Sequence, residues 1–166
     1  KIEFNKENIL KEAKNIDIKL ENKKVYLNGV DVSLEIRTPE VSSEIYLVAE
    51  IAEVRDIMVE LQRKTAENNK CVMEGRDIGS VVFPDAKYKF YLDASVEERA
   101  KRRAGEYKQK NIIFDEDKLK SDIIERDNKD KNRDVGALKI VSDSIVIDTT
   151  SMSIDDVVSK ILEKII

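Results

Sequence analysis

Histidine is absent from all 166 residues. That removes every mechanism that runs on imidazole, from catalytic triads to zinc–hydroxide sites and imidazole bases. Cysteine occurs once, at Cys71, within the apolar run Cys71-Val72-Met73. It reads as a small buried hydrophobe of a reducing compartment. An excess of basic charge is missing as well: 30 basic residues against 34 acidic ones leave a net charge of −4. A nucleic-acid-binding domain would normally be basic on one face, so no nucleic-acid partner is expected. No apolar run approaches transmembrane length, and the opening Lys-Ile-Glu-Phe-Asn-Lys lacks the shape of a signal peptide. A cytoplasmic protein without a membrane partner is therefore expected. The chain opens on Lys1, without methionine and directly in a helical pattern, which reads as a cut end.

What is present suits one domain, or one core carrying small insertions. Asn5 can cap a short helix over residues 5–14. Ile16, Ile18 and Leu20 alternate with polar residues as a half-buried strand does. Val25-Tyr26-Leu27 runs into Asn28-Gly29, the commonest hairpin turn, and Val30 and Val32 follow, so a small antiparallel meander is expected. Thr38-Pro39 opens a helix with a hydroxyl cap and a proline at its first position. Leu47, Ile51, Val54, Met58 and Leu61 continue it as one apolar stripe, with Arg55 beside the stripe. Strands are expected at 71–73, 88–92 and 144–149, separated by helical segments, which defines an α/β parallel sheet. Ser95 with Glu98 forms a capping box, and Ser153 caps a last helix with Ile154, Val157, Val158, Ile161, Leu162 and Ile165 inward.

Two stretches carry candidate chemistry. In Gly75-Arg76-Asp77-Ile78-Gly79, an ion pair follows an apolar strand, where open α/β sheets bind ligands. The glycines permit positive φ or close approach. The plain alternative is a loop exit with a surface ion pair. Further on, Arg126, Asp130 and Arg133 share one face of a continuing helix, with Leu119, Ile123 and Ile124 on its buried side. Two arginines bracketing a carboxylate suit a phosphate at the ends and a sugar hydroxyl in the middle, although surface salt bridges have the same spacing. The basic run Arg99, Lys101, Arg102, Arg103 is either a solvated face or a polyphosphate clamp. Residues Gly105 to Asp115 lose periodicity, and Lys108-Gln109-Lys110-Asn111 has the makings of a mobile flap.

Together these segments resemble a known family. Asp31-Val32-Ser33 with Ile36-Arg37-Thr38, then Gly75 to Ala86, Leu92-Asp93-Ala94-Ser95 with Glu98-Arg99, and Glu125-Arg126-Asp127 with Asp130, Asn132 and Arg133 stand in the order and spacing of bacterial cytidylate kinases. The resemblance runs from about Ile18 to the carboxyl end. It implies an α/β P-loop nucleoside monophosphate kinase fold: a parallel sheet with helices on both faces, a small antiparallel insertion and a helical lid. Residues 1–50 would be the monophosphate-binding region with its small sheet, 51–103 core, 104–116 lid, and 117–166 the return helix and core. The activity implied is transfer of the γ-phosphoryl of ATP to CMP or dCMP with Mg²⁺, by a protein that is a monomer when complete.

By the same resemblance, Arg55 and Asp77 would read cytosine and Arg76 would hold the CMP phosphate. Arg126 and Asp130 would contact the ribose, and Arg133 would reach the transferring phosphates with Arg126 as the second catalytic arginine. Arg102, Arg103 and Arg133 would face ATP from the lid, and Glu74 would lie near the metal. The chain departs from the family pattern in four places. Tyr46 stands where a serine usually helps to read cytosine, with Ser42 and Ser43 as substitutes. Glu74 replaces aspartate and Ser80 replaces threonine. No Gly-x-x-x-x-Gly-Lys-Ser/Thr loop occurs. That loop belongs to an amino-terminal βαβ unit of roughly 30 or more residues, so the chain is expected to be truncated before Lys1 and inactive alone. The rival reading is a non-catalytic nucleotide-binding module or fragment.

Overall fold

A computed structural model describes residues 5–67 and 70–165, apart from the side chains at 39, 40, 42, 43 and 46. The chain divides into two compact units, one up to Met73 and one from Glu74.

The first unit begins with helix α1 (Lys6–Asn15), capped as expected: Asn8 N donates to Asn5 Oδ1 at 2.9 Å. Strands β1 (Ile18–Glu21), β2 (Lys24–Leu27) and β3 (Val30–Asp31) form an antiparallel meander in that order. Leu27 lies opposite both Ile18 and Val30. The β2–β3 turn holds Asn28 at φ 50° and Gly29 at φ 81°, both positive as a two-residue hairpin turn of this hand requires. Asp31 closes the meander. Its carboxylate takes Lys24 Nζ at 2.8 Å and accepts from Ser33 N and Oγ at 3.0 and 2.5 Å. These contacts, Lys24 foremost, lower its pKa to about 2. Ser33 Oγ accepts in turn from Val25 N at 2.9 Å, so Asp31-Val32-Ser33 serves the turn itself.

The single helix expected after Thr38-Pro39 is two helices. Val41 N donates to Thr38 Oγ1 at 3.4 Å to open α2 (Pro39–Ala49), and α3 (Ala52–Ala66) follows. Ile51 between them is extended (φ −80°, ψ 109°), with no glycine or proline to announce the break. The Ala49 carbonyl released there accepts from Arg55 Nη1 at 3.5 Å. Val54 is buried, and Lys6 of α1 reaches Glu53 of α3 at 2.8 Å.

The strand expected at 71–73 does not form. Cys71 is exposed, not buried, and Val72 is fully exposed. An apolar run becomes a strand only where a neighbour satisfies its N–H and C=O groups, and among the described residues none pairs with it.

In the second unit the residues around Gly79 form a single wide π-helical turn (Ile78–Val82). The Asp77 carbonyl accepts from Ser80 N, Val81 N and Val82 N at 3.3, 2.8 and 3.3 Å. Neither Gly75 nor Gly79 has positive φ. Gly75 is needed for closeness to the protein's own side chains, whereas at Gly79 a Cβ would find ordinary contact distances. A Cβ on Gly75 would lie 2.8 Å from Ile78 Cγ1, and one on Gly79 would lie 3.4 Å from Lys89 Cδ. The Pro84-Asp85 turn follows, closed by Ala86 N donating to Phe83 O at 3.1 Å.

Strands β4 (Phe90–Asp93) and β5 (Ile145–Asp148) pair in parallel, Phe90 beside Ile145 and Asp93 beside Asp148. Ile147 and Val82 are the most deeply buried large side chains. Helix α4 (Val96–Gln109) continues through Gly105, where periodicity fades, and α5 (Glu116–Asn132) packs on it around Ala104 and Leu119. The connection between them folds back, with Tyr107 and Phe114 edge to face at 5.6 Å. Ile124, expected on the buried side of α5, is exposed.

The box at Ser95 is only half made. Glu98 N donates to Ser95 Oγ at 3.2 Å, but the Glu98 carboxylate binds Arg102, and Ser95 N donates to Thr150 Oγ1 instead. The reciprocal box occurs at α6 (Ile154–Ile165), where Ser153 and Asp156 exchange backbone hydrogen bonds at 3.0 and 3.2 Å. Of the α6 residues expected inward, Val157 and Ile161 are half-buried, whereas Ile154, Val158, Leu162 and Ile165 are exposed. A stripe marks one side of a helix, but how much of it is covered depends on what packs there.

Arg99 fastens the start of α4 to α5. Its Nη1 and Nη2 donate to the two Asp127 carboxylate oxygens at 2.8 and 2.7 Å, and Nε donates to Ala94 O at 3.0 Å. This bidentate pair holds the Asp127 pKa below its ordinary 3.8. A carboxylate depressed by folding stabilises above its unfolded pKa, and the stabilisation is lost as pH falls through the folded value. Arg99→Ala is therefore expected to lower stability at pH 7 by about 1–3 kcal/mol. Its deficit against wild type should shrink as pH falls below 3.8. Urea unfolding across that range checks this, and a deficit independent of pH would show that the pair contributes nothing.

Candidate active site

Within the second unit, the Gly75–Gly79 turn and the end of α5 come together although they are far apart in sequence. Arg76 Nε donates to Asp130 Oδ2 at 2.7 Å across 54 residues. Arg126 Nε comes to 4.0 Å from the same oxygen, and Arg133 Nη2 to 3.8 Å from Oδ1. One carboxylate thus sits among three guanidinium groups, where the sequence spacing alone indicated two.

The local structure explains the convergence. Arg126 and Asp130 lie one helical turn apart on α5. Arg133 is the residue that ends this helix, extended at φ −69°, ψ 148°, and its Nε donates to Gly136 O at 2.8 Å. That bond turns its guanidinium back toward Asp130. Leu138 N donates to Asp130 O at 2.7 Å, so the segment after the helix is folded against this same residue. Asp130 and Arg133 are largely enclosed, their side chains 14% and 17% exposed, whereas Arg76 and Arg126 are 44% and 63% exposed. The enclosed pair is a fixed base, and the two open arginines present their remaining donors to solvent. Three cations against one anion leave an excess of positive charge suited to phosphate, and arginine's fork matches phosphate oxygens.

The other expected residues lie as follows. Asp77 is half-buried, with its carbonyl at the centre of the wide turn beside Arg76. Arg102 is tied to Glu98 Oε1 at 2.9 Å and to Thr149 O at 2.6 Å, beyond the carboxyl ends of β4 and β5. Arg103 reaches Glu106 at 3.5 Å. The basic run on α4 therefore has several uses, Arg99 bracing α5 while Arg102 meets the β5 loop. Arg55 belongs to the first unit, where it contacts Ala49 O. The side chains of Ser42, Ser43 and Tyr46 lie outside the described residues. Among the described residues no three Asp, Glu or Cys side chains gather in a metal-holding group, at Glu74 or elsewhere. No described helix is long and apolar enough to cross a membrane.

Sequence reasoning missed Asp127 and Lys89. Asp127 is one residue from Arg126 and takes Arg99, a pairing across 28 positions that no local pattern encodes. Lys89 is buried beside the wide turn, where a lysine in a strand pattern reads as outward-facing.

A parallel strand pair, helices and a small antiparallel sheet make this an α/β protein of the nucleoside monophosphate kinase kind. The cytidylate kinase family profile matches residues 1–166, and the chain belongs to that family. It is 45% identical to a cytidylate kinase of Caldanaerobacter subterraneus subsp. tengcongensis over 96% of its length and 71% of that protein's. It is 47% identical to one of Lactobacillus johnsonii over 89% of its length and 65% of the relative's. A third, from Clostridioides difficile, is 43% identical over 97% and 74%. The chain thus spans roughly two thirds to three quarters of these relatives.

Replacing Asp130 with asparagine removes the one carboxylate that, among the described residues, approaches all three guanidinium groups. Asp130→Asn is expected to bind inorganic phosphate roughly fivefold more tightly at low salt, the gain fading at high salt. Calorimetric titration checks this; unchanged phosphate affinity would mean that the cluster does not act as an anion site.

Proposed function

We infer that this chain carries the acceptor-side and arginine machinery of a cytidylate kinase, the enzyme that moves the γ-phosphoryl of ATP to CMP or dCMP. The observation that carries the reading is the meeting of Arg76, Arg126 and Arg133 on Asp130, in a chain of this family. Phosphoryl transfer asks a protein mainly to position two nucleotides and neutralise spreading charge, which arginines do without histidine.

In this reading Arg76 holds the CMP phosphate, and Asp130 with Arg126 takes the ribose hydroxyls. Asp77 and Arg55 read cytosine, with Tyr46 altering the usual contact. Arg133, enclosed and aimed by Gly136, supports the transferring phosphoryl group, and Arg102 and Arg103 serve the ATP side. Residues 104–116 act as the lid that excludes water. ATP brings Mg²⁺ as part of the substrate complex, where the ion neutralises the phosphates. The working protein is cytoplasmic and monomeric.

A second reading has one specific observation behind it: the 166 residues contain no Gly-x-x-x-x-Gly-Lys-Ser/Thr loop. On that reading these residues bind CMP without transferring phosphate. ADP release measured with CMP, dCMP, UMP and AMP as acceptors separates the two. In the native polypeptide, release driven by CMP and dCMP supports the kinase, CMP binding without ADP release supports the module, and failure to bind CMP overturns both. In the active protein, Arg133→Ala should lower kcat by about a hundredfold, and a kcat within about twofold would reduce Arg133 to a structural charge. Asp130→Ala should raise the KM for CMP through lost sugar contacts, and an unchanged KM would remove it from the ribose site.

A further inference from the structure

Lys89 is buried, its side chain 7% exposed, in a protein whose other lysines mostly face water. Its ammonium donates to the Pro84 carbonyl and to Asp143 Oδ2, the latter at 2.6 Å. Its stem runs along Gly79, whose added Cβ would lie 3.4, 3.6 and 3.8 Å from Lys89 Cδ, Cγ and Cβ. Its backbone carbonyl accepts from Ile145 N at 2.8 Å, anchoring the residue where β4 and β5 begin to pair. One side chain therefore touches the wide turn at Gly79 and just after its end at Pro84, and fixes both to the sheet and the β5 approach. Burying a lysine is costly unless its charge is met, so this placement needs both acceptors.

The turn held this way carries Arg76 and Asp77. Three backbone N–H groups, from Ser80, Val81 and Val82, converge on the Asp77 carbonyl, and Phe83 N donates to Ile78 O at 2.7 Å. A turn so internally bonded moves as a piece, so what fixes Gly79 and Pro84 also fixes the backbone from which Arg76 reaches Asp130. We propose that Lys89 is a positioning residue for the nucleotide site, setting the placement of Arg76 and Asp77 through the Gly79–Pro84 turn. Its consequence for CMP rests on the kinase reading above; its consequence for Arg76 does not.

The test uses Lys89→Met, which keeps most of the stem and removes the donors, in the full chain. Two measurements are made: steady-state kinetics, and the Arg76 Nε–H NMR signal, assigned by its loss in Arg76→Lys. The expected result is a shifted or broadened Arg76 signal and a KM for CMP raised about tenfold. The KM for ATP and kcat should stay within about twofold. Asp143→Asn, which removes the counter-charge but keeps an acceptor and leaves the Pro84 bond intact, should give a smaller change in the same direction. If Lys89→Met does not fold, Gly79→Val, whose branched side chain extends past the Cβ position 3.4 Å from Lys89 Cδ, presses on the stem with the lysine in place and should give the same selective change. An unmoved Arg76 signal in a folded variant overturns the proposal. So does a uniform loss of kcat and both KM values alongside a lowered melting temperature, which marks a merely structural lysine. If the native polypeptide releases ADP no faster with CMP than with AMP, the kinase reading fails, and the Arg76 signal alone decides the role of Lys89.

Discussion

The second unit is organised around the carboxylate of Asp130. A carboxylate beside one arginine is an ordinary salt bridge. Beside three, it acts as a spacer that lets guanidinium groups approach one another without the full cost of their repulsion. Much of the surrounding structure serves that spacing. Asp127 takes Arg99 and holds α5 against the start of α4, Gly136 turns Arg133 inward, and the wide turn after Asp77 delivers Arg76 from the other side. The arrangement is asymmetric in exposure, with a buried floor of Asp130 and Arg133 and a wet rim of Arg76 and Arg126. An anion arriving from solvent meets the rim first.

Glycine placement follows from the same packing. Gly75 and Gly79 flank the Arg76-Asp77 pair, and neither needs a left-handed backbone. Gly75 makes room for Ile78, and Gly79 lies against the Lys89 stem. The motif Gly-Arg-Asp-x-Gly is thus partly a packing specification, in which the small residues let the loop lie close to its support and Arg76 reaches the cluster.

Elements set by neighbours in sequence were legible in advance. The Asn5 cap, the Asn28-Gly29 reversal, the Thr38-Pro39 opening and the Ser153 cap all depend on contacts within a few residues, and all formed. The one-face spacing of Arg126, Asp130 and Arg133 was legible too, because helical geometry fixes it. What failed depends on distant partners. Cys71-Val72-Met73 has strand composition but no strand beside it, and α6 has an apolar stripe only partly covered. Glu98 has box spacing, but Arg102 offers a charged partner that outcompetes a backbone amide for its carboxylate. The break at Ile51 has no marker residue at all. The family resemblance supplied Arg76 as a phosphate ligand, yet its approach to Asp130 is a contact that sequence spacing alone could not give.

The cluster is built from guanidinium groups in a chain with no imidazole. Arginine keeps its proton throughout the range in which enzymes work. A phosphate monoester, by contrast, loses its second proton near pH 6. A bend near neutrality in the affinity of such a guanidinium cluster for a phosphate monoester would then trace to the guest's own second proton.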